Sequence, residues 1–118
     1  MKTGILKGII WHQGESDSSP QKSAKYLDSL AALVIKLRTE LEIPNLPFVA
    51  GELGYFTEDK KKFNTMLHGL TERVPVTAIV SADQLVANPD KIHFDTASGR
   101  ILGKRYAEAL TELLRGRK

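Results

Sequence analysis

A chain of 118 residues without a single cysteine is shorter than an average domain and can hold no disulfide framework, thiolate metal site or cysteine nucleophile. Its hydrophobic fraction of 42% and charged fraction of 26% exclude a disordered chain, a collagen-like repeat and a membrane span. The formal charge of +3 comes from bases spread along the chain, and Lys60-Lys61-Lys62 reads as a solvated helix face, so neither nucleic acid nor a membrane is an expected partner.

The first element is an apolar run, Ile5-Leu6-Lys7-Gly8-Ile9-Ile10-Trp11, read as a strand. Lys7 interrupts it and no cleavage site follows, so it is no secretory signal and the default location is cytoplasmic. A helix follows, with Leu27, Leu30, Val34, Leu37 and Leu41 on one stripe. Ser19 is its expected cap, Pro20 fits its first position, and Pro44 and Pro47 end it. Pro47 to Leu53 reads as the second strand and Glu58 to Arg73 as the second helix, with Phe63, Met66, Leu67 and Leu70 inward and an acidic start. Val76 to Ser81 is the third strand. The last helix runs from Thr96 to about Leu114, capped by Asp95, with Ile101, Leu102, Tyr106, Ala109, Leu110 and Leu113 inward.

All three strand segments are nearly continuously apolar, as in strands covered on both faces. The order β-α-β-α-β-loop-α requires parallel strands and right-handed crossovers. The expected fold is a single α/β domain over residues 1–118, a three-layer sandwich with helices on both faces of a parallel sheet. Such sheets bind ligands beyond the carboxyl ends of their strands, in the loops after Trp11, Leu53 and Ser81.

Two polar groups fall there. Trp11-His12-Gln13-Gly14-Glu15-Ser16-Asp17 joins an imidazole, an amide and a carboxylate where a turn needs none of them. Gly14 allows a sharp turn or close approach to a ligand. Gln13 offers uncharged donors suited to an oxygen that becomes negative during reaction, and Glu15 reads as an orienting acceptor. Trp11 either walls a pocket or packs under the loop. An ordinary polar loop capped by Ser16 or Asp17 explains the same residues. The second group is Asp90-Lys91-Ile92-His93-Phe94-Asp95. The spacing of Asp90 and His93 lets the carboxylate hold one imidazole nitrogen and leave the other as a general base; a helix cap at Asp95 with an incidental His93 is the alternative.

A base, its orienter and an oxyanion donor are three of the four parts of acyl transfer. No serine supplies the fourth: Ser16, Ser18, Ser19 and Ser23 lie beside or within the first helix, and Ser81 lacks a glycine-rich turn. A zinc site from His12, Glu15, Asp90 and His93 is a competing arrangement, but the hydrolytic roles use the same residues without a metal, so neither metal nor cofactor is expected. Glu52 reads as an ion-pair partner of a nearby base, with a contact to the site as the alternative, His68 as a surface or packing residue, and Tyr55 and Phe56 as cover for a core edge or stacking faces.

The stretches Trp11 to Asp17 and Ile92 to Asp95, with Phe48-Val49-Ala50-Gly51-Glu52-Leu53-Gly54 and Gly103-Lys104-Arg105-Tyr106-Ala107, resemble the sialate O-acetylesterase and acetylxylan esterase-like group, carbohydrate esterase family six within the SGNH hydrolases. The likeness spans nearly the whole chain. It implies a base at His93, an orienting Asp90, an oxyanion donor at Gln13 with Trp11, His12, Gly14 and Glu15 around it, and an acetylated carbohydrate as substrate. In that family the serine lies in a Gly-Gln-Ser-Asn block on the first strand, and this sequence has no such block. Aligned so, residue 1 falls just before the family's third strand, and the fold would be a flavodoxin-like SGNH domain without its first strands. This chain alone would then show no esterase activity. The alternative is a catalytically dead module that assembles with itself or a partner, as a homo-oligomer through the exposed Ile5 to Trp11 edge.

Overall fold

The computed structural model describes residues 4–14, 18–90 and 93–116. Glu15, Ser16, Asp17, Lys91 and Ile92, and with them the cap assigned to Ser16 or Asp17, lie outside the described residues. Strand β1 spans Ile9–Trp11, helix α1 Pro20–Leu41, β2 Phe48–Gly51, α2 Glu58–Leu67, α3 Leu70–Arg73, β3 Thr77–Val80 and α4 Thr96–Gly116. The strands form one parallel sheet in the order β1-β2-β3, with Ile9 opposite Phe48 and Phe48 opposite Thr77.

Alternation along β2 divides the interior in two. Phe48 and Ala50 face Leu30, Val34, Phe63, Leu67 and Leu70 of α1, α2 and α3. Val49 faces Leu102 and Tyr106 of α4 on the other side. The expected α/β architecture, with helices on both faces of a parallel sheet, is the one observed. Cover on both faces holds fully only for β2; the outer strands are half-buried, and Ile10 is 59% exposed.

The strands are shorter than expected. Ile5 to Gly8 stay outside the sheet because the ladder begins where β2 begins: Ile9 N–H donates to the Pro47 carbonyl at 2.9 Å, and residues before Pro47 belong to the turn that closes α1. The second helix breaks at His68-Gly69, where the Gly69 N–H turns back to Met66 O and Leu27 of α1 packs close. Leu41 and Ile101, expected inward, are 44% and 46% exposed. Lys60, expected in solvent, is buried. Ser19 stands at the α1 cap position without a side-chain bond, whereas Thr57 Oγ1 caps α2 by accepting the Lys60 N–H at 3.2 Å. Asp95 caps α4 as expected, accepting the Ser98 N–H at 2.8 Å.

Arg38 of α1, 6% exposed, enters the amino-terminal end of the sheet. Its Nε donates to Leu46 O and its guanidinium to Val76 O, each at 3.0 Å, and burial pulls its pKa below the usual arginine value. Val76 O also accepts the Phe48 N–H at 3.2 Å. Val76 holds φ 57°, a conformation that is costly for a β-branched residue, with its carbonyl serving two donors.

Candidate active site

The carboxyl ends of the strands carry the polar residues singled out in the sequence. After β1 the chain turns through His12, Gln13 and Gly14. Gly14 has φ 141°, and a Cβ there would fall 2.5 Å from the Phe63 ring, so the turn requires glycine. Two tyrosines brace the turn. Tyr106 of α4 donates to the Trp11 carbonyl at 2.8 Å. Tyr26 of α1 accepts from Trp11 Nε1 at 3.0 Å, and its hydroxyl lies 3.0 Å from both the Gln13 carbonyl and Gln13 Oε1. With Oε1 held by a hydroxyl, the orientation of the Gln13 amide is fixed. Gly51 gives Tyr106 its place, since a Cβ at 51 would overlap the phenol.

After β3 a short hairpin carries the second group. The Asp95 N–H donates to Val86 O and the Asn88 N–H to His93 O, at 2.9 and 2.8 Å, and Ala87 pairs with Phe94. Ser98 Oγ accepts the Val86 N–H and Asn88 Nδ2 donates to Phe94 O. At its tip the two oxygens of Asp90 grip one residue: Oδ1 accepts the His93 N–H at 3.0 Å and Oδ2 lies 2.6 Å from His93 Nδ1. A carboxylate on Nδ1 selects the tautomer with that nitrogen protonated and leaves Nε2 to take a proton. The His93 side chain is 72% exposed.

The two loops meet. The His12 and Phe94 rings pack with centroids 5.6 Å apart, and Phe94 stacks edge-on with Phe56 at 5.5 Å. Phe56, read as cover or platform, thus forms part of the contact between loops. Trp11 packs on Phe48 at 6.2 Å and hydrogen-bonds Tyr26, so it supports the loop from below.

Between the loops lies Glu52, 3% exposed. Its Oε1 accepts the Ala82 N–H at 2.9 Å and the Tyr55 hydroxyl at 2.8 Å, and its Oε2 lies 2.6 Å from His68 Nε2. Its carbonyl lies 3.2 Å from His12 Nε2. The side chain that meets this second oxygen is thus His68, at the end of α2. Burial pushes the Tyr55 phenol above its ordinary pKa, and the hydrogen bond to Glu52 adds to the effect. A cavity of about 380 Å³ lined by Tyr55, Lys61, Asn64, Thr65 and His68 opens over this carboxylate.

Asn64 is a positioning residue that sequence reasoning missed. Buried in α2, it accepts the Leu53 N–H and donates to the Leu53 carbonyl, both at 2.7 Å. Its one visible signal was an amide on the same apolar helix face as Phe63 and Leu67. No group of three or more metal-ligating side chains exists among the described residues, and Glu15 of the alternative zinc set lies outside them. No helix among the described residues is long and apolar enough to cross a membrane.

Comparison with known proteins places this geometry. Residues 1–112 match the family profile described as carbohydrate esterase, sialic acid-specific acetylesterase. A probable carbohydrate esterase of Arabidopsis thaliana is 28% identical over 107 residues, covering 90% of this chain and 40% of the relative. The X-ray structure of that Arabidopsis protein superimposes with a TM-score of 0.83 at 26% identity, over 92% of this chain and 45% of the other. A carbohydrate acetylesterase of Xanthomonas citri superimposes with a TM-score of 0.77 at 25% identity, over 93% of this chain and 26% of the other. The chain thus spans less than half the length of these relatives, and with its profile match over nearly all its residues it belongs to the carbohydrate esterase, sialic acid-specific acetylesterase family.

Proposed function

We propose that this chain forms the base-bearing part of a serine O-acetylesterase of the SGNH type that acts on acetylated carbohydrates, sialate or acetylxylan among them. The observation that carries the reading is the double grip of Asp90 on His93, at 2.6 and 3.0 Å, at the carboxyl end of a parallel sheet. The serine is supplied by a segment that no described residue provides. Its hydroxyl attacks the acetyl carbonyl while His93 Nε2 takes the proton. The tetrahedral oxyanion is met by Gln13 with Gly14, and Trp11 and His12 shape the surrounding loop. His93 then returns the proton to the sugar oxygen as the acyl–enzyme forms. Water, deprotonated by the same imidazole, attacks the acyl carbonyl; the bond to the serine oxygen breaks, acetate leaves, and the imidazolium returns its proton to that oxygen. Asp90 holds the imidazolium in each half of the cycle, and no metal or cofactor takes part.

The test is hydrolysis of an acetyl ester. The 118-residue chain alone should show no turnover above background. The same chain joined to a serine-bearing family segment should be active and lose about 10³-fold or more of kcat on His93→Ala. Turnover by the short chain that survives replacement of every serine would overturn the mechanism.

A second reading, a catalytically silent module that pairs through β1, is favoured by apolar exposure in that strand and in the segment before it: Ile10 is 59% exposed, and Ile5 and Leu6 79% and 45%. Exposed apolar strand edges pair with other strands. Light scattering that finds a monomer at high concentration would reject it.

A further inference from the structure

The Glu52 side chain and backbone together close a ring of contacts around the candidate site. Its carboxylate Oε1 accepts the Ala82 N–H at 2.9 Å, at the start of the loop that follows β3. That loop leads to the Ala87–Phe94 bridge. The Phe94 ring packs on His12. The ring closes where His12 Nε2 meets the Glu52 carbonyl at 3.2 Å. His93 adjoins Phe94 and Gln13 adjoins His12, so the base and the oxyanion donor hang from the same ring.

A carboxylate in this place is costly unless donors surround it. Here Ala82, Tyr55 and His68 all meet its two oxygens. An apolar residue would fill the volume without tying the β3 loop to the end of β2. We infer that Glu52 is a positioning residue that fixes the Asp90–His93 hairpin relative to the His12–Gln13 turn. This rests on the hydrolase reading only for its purpose; the positioning itself is a property of the chain as it stands. Glu52 acts through His12 and Ala82 and touches no reacting atom. The cavity over its carboxylate reaches the same pivot from the outer side.

The experiment needs no catalysis, so its failure leaves the esterase reading standing and the reverse also holds. Amide exchange at Ala82 and the ring-to-ring NOE between His12 and Phe94 are measured by NMR in the 118-residue chain, in Glu52→Ala and in Glu52→Gln. Glu52→Ala should speed Ala82 exchange by on the order of 100-fold and abolish the NOE, while the Tyr26–Phe63 ring contact, 4.8 Å in the native fold, persists. Glu52→Gln keeps an oxygen that can accept from Ala82 and should restore both signals. A His12–Phe94 NOE that survives in Glu52→Ala overturns the inference. Where Glu52→Ala does not fold, Glu52→Gln decides. If it folds with the NOE and the Ala82 protection, the inference stands. If it folds without them, or does not fold, Glu52 serves the core and not the loops.

Discussion

Two charged side chains lie buried at the opposite approaches to one strand, and they are used differently. Arg38 sits at the amino-terminal end of β2 and spends its donors on two backbone carbonyls, those of Leu46 and Val76. Glu52 sits just past the carboxyl-terminal end and meets one backbone amide, but also a phenol and an imidazole. At the arginine end both bonds go to main chain and tie α1 to the segments that enter β2 and β3. At the glutamate end, side chains that can move protons and meet ligands share the work. At one end of this strand the buried charge meets main chain alone; at the other it also meets titratable side chains.

The largest effect that would sharpen this contrast belongs to Arg38. Arg38→Met should remove about 3 kcal/mol of stability, because two hydrogen bonds from a charged donor are lost, although Val76 O keeps the Phe48 N–H, while the His12–Phe94 contact persists in the folded fraction; urea unfolding and NMR check both halves. Next comes Asn64→Ala, which strands the peptide groups of Leu53 and should cost about 2 kcal/mol. Unlike the Arg38 change, it should raise exchange at Leu53 beside the site. Equal exchange profiles for the two variants would erase the distinction between the ends.

The smallest effect concerns pH. Burial and Glu52 raise the Tyr55 pKa, so the fold favours the neutral phenol. That contribution is whole below the ordinary tyrosine pKa near 10 and disappears as pH climbs through the raised folded value. The thermal midpoint of the native chain should exceed that of Tyr55→Phe at pH 9 by more than at pH 11. A gap that widens with pH would reverse the assigned sign.

Much of this was legible in the sequence, for reasons that differ by element. Leu30 and Val34 of α1, and Leu102 and Tyr106 of α4, follow the helical period and lie buried as that period requires. Asp90 and His93 are three residues apart, so their bond is local and visible as spacing. Strand ends were harder: whether Ile5 to Gly8 joins the sheet depends on a partner 40 residues away, not on its own apolar character. Ile101 and Leu41 misled because period alone does not say how wide the covering sheet is. Tyr26, Asn64 and Arg38 were invisible as supports, since each binds main chain far off in sequence, and no local pattern encodes which carbonyl or amide a side chain will reach.

The hydrogen bond from Tyr106 to the carbonyl of Trp11 spans 95 positions of the chain. Long loops must close before such a contact can form, and topologies of this kind fold late and slowly. During synthesis, the turn that carries His12 and Gln13 therefore cannot acquire its final shape until α4 has left the ribosome and docked. The form of that turn thus waits on a helix far downstream in the chain.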